Sequence, residues 1–206
     1  MIFPRIGDLQ IQMGIGESYL GLALSGLPIG VQIALLFADK ILSLFNFRIA
    51  VSMSITILGF FLFLASFSYE PWSFFIFLLF AGIAVGIVEV AVNIEADRVE
   101  YKIKKKIMNR SHSFWSLGFF SAGLVGAVFS QLNISPTVHF LFCFVLALLL
   151  VFYFTKKYEV APTRPTLNEK PSLFVIPSKK IMALVFFTLS AMLIEGAGID
   201  WSVIFM

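Results

Sequence analysis

The sequence predicts an all-α fold, a polytopic bundle of membrane-spanning helices, and three observations carry that prediction. The chain is oily: 59% of its 206 residues are hydrophobic and only 13% are charged, about half the charged share of an ordinary soluble domain. Its apolar residues fall in long uncharged blocks. Its basic residues gather in alternate connections between those blocks. Too little polar material remains to coat a water-soluble core. The short alternating segments of a membrane β-barrel are absent from the pattern.

The elements follow in order. Residues 18–38 carry no charge and are long enough to cross a bilayer as a helix. Ser18, Gly21, Ser25 and Pro28 recur there at three-four-three spacing, a small-residue face suited to helix packing, with a kink expected at the proline. A second span covers 47–67. The turn "SYEPW" sets Pro71 and Trp72 at an interface. The third span, 72–94, holds a single charge, Glu89. The stretch "EADRVEYKIKKKIMNR", 95–110, follows with six basic and three acidic residues and reads as a connection. The uncharged run 111–155 breaks at "NISP", giving a fourth span at 113–130 and a fifth at 136–154. Residues 155–180 are polar, carry four prolines and read as a linker. A sixth span starts at Ile181 and is expected to be cut short at Met206.

The connections alternate in charge, and fourteen of the fifteen basic residues fall on one side. That is the positive-inside pattern, so Asp39, Lys40, Arg48, Arg98, Arg110 and His112 are expected at cytoplasmic loops. The amino-terminal "FPRIGDLQIQMGIGE" is then on the opposite face, either as a true outside terminus or as the loop after a helix the chain lacks. A formal net charge of +3 admits nucleic acid in principle. The cations flank apolar spans, however, and no soluble module is left to bind it. Cys143 is the one cysteine and has no partner for an internal disulfide. The amino terminus does not show a signal-peptide pattern.

Glu89 breaks the oil most sharply. A carboxylate near the membrane centre costs about 2.5–3.5 kcal/mol on insertion scales and calls for a partner, water or a proton. Gly82, Gly86, Glu89 and Asn93 share one helix face at four-three-four spacing, so a neighbouring helix is expected to approach closely at the glycines. Glu89 and Asn93 then read as a solute or proton site, or Glu89 as a paired structural carboxylate near the cytoplasmic end. Glu195, Asp200 and Trp201 in the last span read either as a solute site, with Trp201 stacking on a ring, or as a wetted helix end. Gly21, Ser25, Gly82 and Gly86 are the expected packing positions. His112, with Asn109, Arg110 and Trp115, forms a polar, aromatic entry to the fourth span, as an interface residue or a proton carrier. His112, His139 and Cys143 are too scattered for a metal site. No cofactor motif or catalytic constellation supports an enzyme.

Three stretches carry a resemblance: "GESYLGLALSGLPIG" (16–30), "NIEADRVEYKIKKKIMNRSHSFWSLGFFSAGL" (93–124) and "MLIEGAGIDWSVIFM" (192–206). They resemble bacterial inner-membrane transporters of the major facilitator superfamily, in a group distantly similar to fucose permease. Such proteins have twelve spans in two six-helix halves joined by a cytoplasmic linker. The resemblance makes the first span here the family's second, the third its fourth and the last its seventh. It implies an incomplete amino-terminal half over 1–154, the central linker over 155–180 and the start of the other half over 181–206. The family's loop signature is degraded: aligned on Arg48, Asp39, Ser43, Leu44 and Asn46 all miss their places, while matching Asp39 and Lys40 instead loses the glycines.

The resemblance implies a secondary active transporter, or a fragment of one. It would move a small polar solute by alternating access, with sugars favoured by analogy, proton coupling through Glu89, and missing helices or other copies needed to complete the site. The rival expectation is a structural remnant, or membrane interaction protein, without transport. The bilayer itself is the remaining expected partner.

Overall fold

The computed structural model describes residues 2–163 and 177–205; the side chains of Asp39, Ala191, Glu195 and 197–205 lie outside what it describes. Met1–Thr163 form one unit and Arg164–Met206 a second. All regular structure among the described residues is helical.

The amino-terminal segment, expected as an outside terminus or a loop, folds. A 3-10 turn at Phe3–Arg5 leads into α1 (Ile6–Met13), which stops at Gly14 in the left-handed region, φ 63°. Ile2, Ile6, Leu9 and Met13 are buried. Their four-three-four spacing makes one apolar face, interleaved with the polar residues that gave the stretch its loop-like look.

The expected first span, 18–38, is two helices. α2 (Glu17–Leu24) and α3 (Gly26–Leu44) meet at Ser25 rather than at Pro28, and the Ser25 hydroxyl donates to the Leu22 carbonyl at 2.6 Å. α3 runs past the expected end and takes the backbone of Asp39 and Lys40 into the helix. Only Phe45 and Asn46 connect it to α4 (Phe47–Ala65). Asn46 caps α4, its side-chain oxygen accepting from the Ile49 amide at 2.9 Å.

α5 (Pro71–Ile103) corrects the reading of 95–110 as a loop. Its 33 residues rise about 50 Å, while the hydrocarbon layer is about 30 Å thick. The charged residues from Glu95 to Ile103 are ordinary helix formers with no proline or glycine among them, so the helix leaves the oil without unwinding. Lys104, at φ 53°, ends it. α6 (Met108–Gln131) begins within the same charged stretch, so Arg110 and His112 lie on a helix and not in a loop. Ser135 caps α7 (Pro136–Lys156). In the second unit, α8 (Lys179–Phe205) is one continuous helix.

In the first unit α5 is the hub, packed most extensively on α3 and then on α4, which in turn packs on α7. The α3–α5 seam is built from small residues. Gly26, Gly30, Ala34 and Ala38 recur every fourth position on α3 and are all buried. Gly82 and Gly86 face them from α5: the Leu27 carbonyl and the Gly30 Cα crowd Gly82, and Ala34 and Val31 crowd Gly86. Backbones can approach this closely only where no Cβ intervenes. On the first span, Gly26 and Gly30 make close approaches to the α5 backbone. Elsewhere phenylalanines fill the layers. Phe61 stacks on Phe80 with ring centroids 4.9 Å apart, and Phe144 of α7 fits against Gly59 of α4. α6 is the least packed membrane helix: Phe114, Trp115, Leu117 and Phe120 are exposed, and Phe119 meets Phe3 of the 3-10 turn.

Candidate functional site

Two polar clusters interrupt the apolar body, one toward each end of the helices. The first is organised by α5. Glu89 is exposed on the face that carries Gly82 and Gly86, and Asn93, one turn on, is half-buried. Glu89 lies about 27 Å along the axis from Pro71, which puts it at the edge of the hydrocarbon layer rather than at its centre. No salt bridge involves Glu89 among the described residues. Gly82 and Gly86 lie in the helix seam, so the four residues share a face but divide its work between packing and a polar edge.

Glu95 is where the structure goes beyond the sequence reading. It is buried, 3% exposed, on a stretch expected to be a solvated connection. Its Oε2 pairs with Arg98 at 3.3 Å. Its Oε1 accepts from the Tyr158 hydroxyl at 2.9 Å and from the Ala161 amide at 2.7 Å. The carboxylate thereby fixes the chain leaving α7 onto α5, and Ser52 and Thr155 add a contact of 3.2 Å between α4 and α7. Tyr158 lies past the membrane-spanning part of α7. Burial pushes its phenol up to about 12, helped by its hydrogen bond to Glu95 and by that carboxylate's charge, with Arg98 pulling the other way. One turn beyond, Glu100 Oε1 accepts from the amides of Ile107 and Met108 at 2.6 and 2.8 Å, which caps the start of α6. The Glu95–Arg98 spacing of three was the one sequence signal for this cluster. Tyr158 gave none.

The remaining expected residues of that end lie apart. Lys40, Arg48, Arg110 and His112 are exposed on α3, α4 and α6. The side chains of Asp39, Glu195, Asp200 and Trp201 lie outside the described residues.

The second cluster joins the amino-terminal segment to the other end of the bundle. Arg5 is buried, pairs with Asp8 at 3.0 Å and donates to the Ile134 carbonyl between α6 and α7. Gln12 donates to the carbonyls of Ser66 and Ser68 between α4 and α5, at 3.0 and 2.8 Å. A cavity of about 240 Å³ lies beside them, lined by Arg5, Asp8, Gln12, Ser130, Asn133 and Ser135. The three-residue spacing of Arg5 and Asp8 was visible in sequence, but their partners are not. His139 is fully buried nearby, between Phe129 and Phe140, and neither ring nitrogen has a hydrogen-bond partner among the described residues. No group of three or more metal-ligating side chains occurs among the described residues.

Five helical spans of the first unit are long and apolar enough to cross a membrane: Glu17–Ala38, which takes in α2 and most of α3, Phe47–Ala65, Pro71–Ile103, Met108–Gln131 and Pro136–Lys156. The sequence matches the Major Facilitator Superfamily over residues 1–206. The chain belongs to the Major Facilitator Superfamily. A curated relative from Yersinia pestis, an uncharacterised MFS-type transporter, is 28% identical over 207 residues, covering 98% of this chain and 52% of the relative. The chain thus spans about half the length of the curated relative it matches. No solved structure matches it. Membership in this superfamily, with the five apolar helices, makes the protein a multi-pass membrane protein whose helices contact lipid. It also places the chain in a family of carriers rather than enzymes.

Proposed function

We propose that this superfamily member works in a secondary transporter of a bacterial inner membrane, moving a small polar solute by alternating access between two helical halves. Sugars are the favoured class, by analogy with the permeases the sequence resembles. The carrying observation is the family match over the whole chain, on a body of five membrane-length helices. Glu89 is the proposed coupling carboxylate. It is exposed on an otherwise apolar, glycine-bearing face of the central helix, at the depth where water from the cytoplasmic side meets the oil. The Glu95 cluster lies beyond it and holds the chain leaving α7. In this reading both face the cytoplasm, together with the basic connections and the linker over 155–180. Glu195, Asp200 and Trp201 are proposed as further solute-contacting residues.

The test is flux in reconstituted vesicles. A pH-sensitive dye in the lumen reports proton movement when sugars from a radiolabelled panel are added outside, and counterflow reports the solute itself. Glu89→Gln should abolish the sugar-dependent proton signal while counterflow persists. Proton movement unchanged in Glu89→Gln removes Glu89 from the mechanism. Absence of counterflow for every solute, with the chain correctly inserted, favours the rival reading of a structural or membrane interaction protein without transport.

A further inference from the structure

A groove of about 410 Å³ opens where α4, α5, α6 and α7 converge. Its walls are mainly Phe47, Val51, Val92, Val99, Ile107 and Phe154, with Glu95 and Tyr158 at one end. The volume falls within the range of small-ligand pockets. Glu95 does not make it an anionic pocket, because Arg98, Tyr158 and the Ala161 amide already engage both carboxylate oxygens. α6 packs lightly and buries only Gly126 completely, so the groove is not sealed along that side.

The rim has the opposite character. Ile107 and Ser111 line the groove, and the residues immediately before them are Lys106 and Arg110. Lys104, Lys105, Lys106 and Arg110 are all exposed. The stretch 95–110 holds six basic residues against three acids. Of those acids, Glu95 is buried with Arg98, and Glu100 is bonded to the amides that open α6. The left-handed turn at Lys104 ends α5, so Lys104, Lys105 and Lys106 fall in the short connection that leads to Ile107 rather than along a helix. Depth agrees with an interfacial ligand. Val92 and Val99 lie about 32 and 42 Å along α5 from Pro71, bridging the hydrocarbon edge and the headgroup layer of a bilayer about 40–45 Å thick overall.

We propose that this groove seats one anionic phospholipid, its phosphate held by Lys104, Lys105, Lys106 and Arg110 and its acyl end running toward Val51 and Val92. Clustered cations at the end of a membrane helix attract anionic headgroups electrostatically, and an apolar slot beneath them selects a lipid over a free anion. The site stabilises the α5–α6 junction, where α6 has few other contacts.

The test is lipid retention by the intact chain, purified in non-ionic detergent and loaded with phosphatidylglycerol or phosphatidylcholine, then read by native mass spectrometry. The wild-type chain should retain phosphatidylglycerol in clear preference. Each of Lys104→Gln, Lys105→Gln, Lys106→Gln and Arg110→Gln should weaken that retention about fivefold. The combined Lys104→Arg, Lys105→Arg and Lys106→Arg variant should keep it, and Ser111→Trp should lose it by filling the groove. Monodisperse elution of each variant shows that it has folded. Equal retention of the two lipids by wild type overturns the proposal. So does a preference that survives the four glutamine substitutions, or free glycerol phosphate competing as strongly as a short-chain phosphatidylglycerol. The last two controls use folded protein only, so a variant that fails to fold does not shelter the idea.

Discussion

At Glu95 a carboxylate is taken out of water and given three partners: Arg98, the Tyr158 hydroxyl and the Ala161 amide. A buried charge is tolerated only when it is paired and its remaining lone pairs are used, and both conditions hold. Glu95 and Tyr158 should therefore be strongly coupled. In a double-mutant cycle of Glu95→Gln and Tyr158→Phe, followed by denaturation in detergent, the interaction should measure about 0.5–3 kcal/mol. Its pH dependence has a definite sign. The folded phenol is raised to about 12, above the ordinary value of about 10, so its contribution is complete below pH 10 and is lost as pH rises through 12. Difference ultraviolet titration of wild type against Tyr158→Phe should show that one phenol ionising late. Of this cluster only the Glu95–Arg98 pair has a signal in the sequence, a local spacing of three that the reading of the stretch as a connection leaves unused. Tyr158 lies 63 residues away, and no periodicity links the two.

The helices show what hydropathy can and cannot delimit. Long uncharged blocks marked every span in the first unit, because lipid demands apolar side chains over a fixed thickness. Charge marks where a helix leaves the oil, not where it stops, and α5 and α3 both continue into water. The glycines follow a similar rule. Gly82 and Gly86 read as packing residues from their spacing, whereas Gly26 and Gly30, which also meet the opposing backbone closely, stood outside the Ser18–Gly21–Ser25–Pro28 spacing, and only the register of α3 on α5 brings them out. A methyl group at Gly82 would collide with backbone atoms, the Leu27 carbonyl and the Gly30 Cα, which cannot swing aside. Gly82→Ala should thus destabilise by about 1–3 kcal/mol. Gly123→Ala, where nothing lies within 4 Å, should be neutral or stabilising by up to about 1 kcal/mol through helix propensity. Thermal unfolding of the two variants in the same detergent compares them directly.

Over the whole first unit, the order of helices and their membrane character were readable from sequence, whereas the way the ends are tied was not. The contact between Arg5 and Ile134 joins residues 129 apart, and that of Gln12 with Ser68 joins residues 56 apart. A segment that looked too polar for a core and too short for a span had no pattern of its own to announce where it docks. Its docking has a practical consequence. Residues 2–13 grip the turns after α4 and α6 and bury their apolar face, while the backbone at Gly14 and Gly16 lies exposed. A protease that nicks the chain there would cut a covalent link without dislodging the piece, and the short peptide should co-elute with the remainder until detergent or denaturant strips it away.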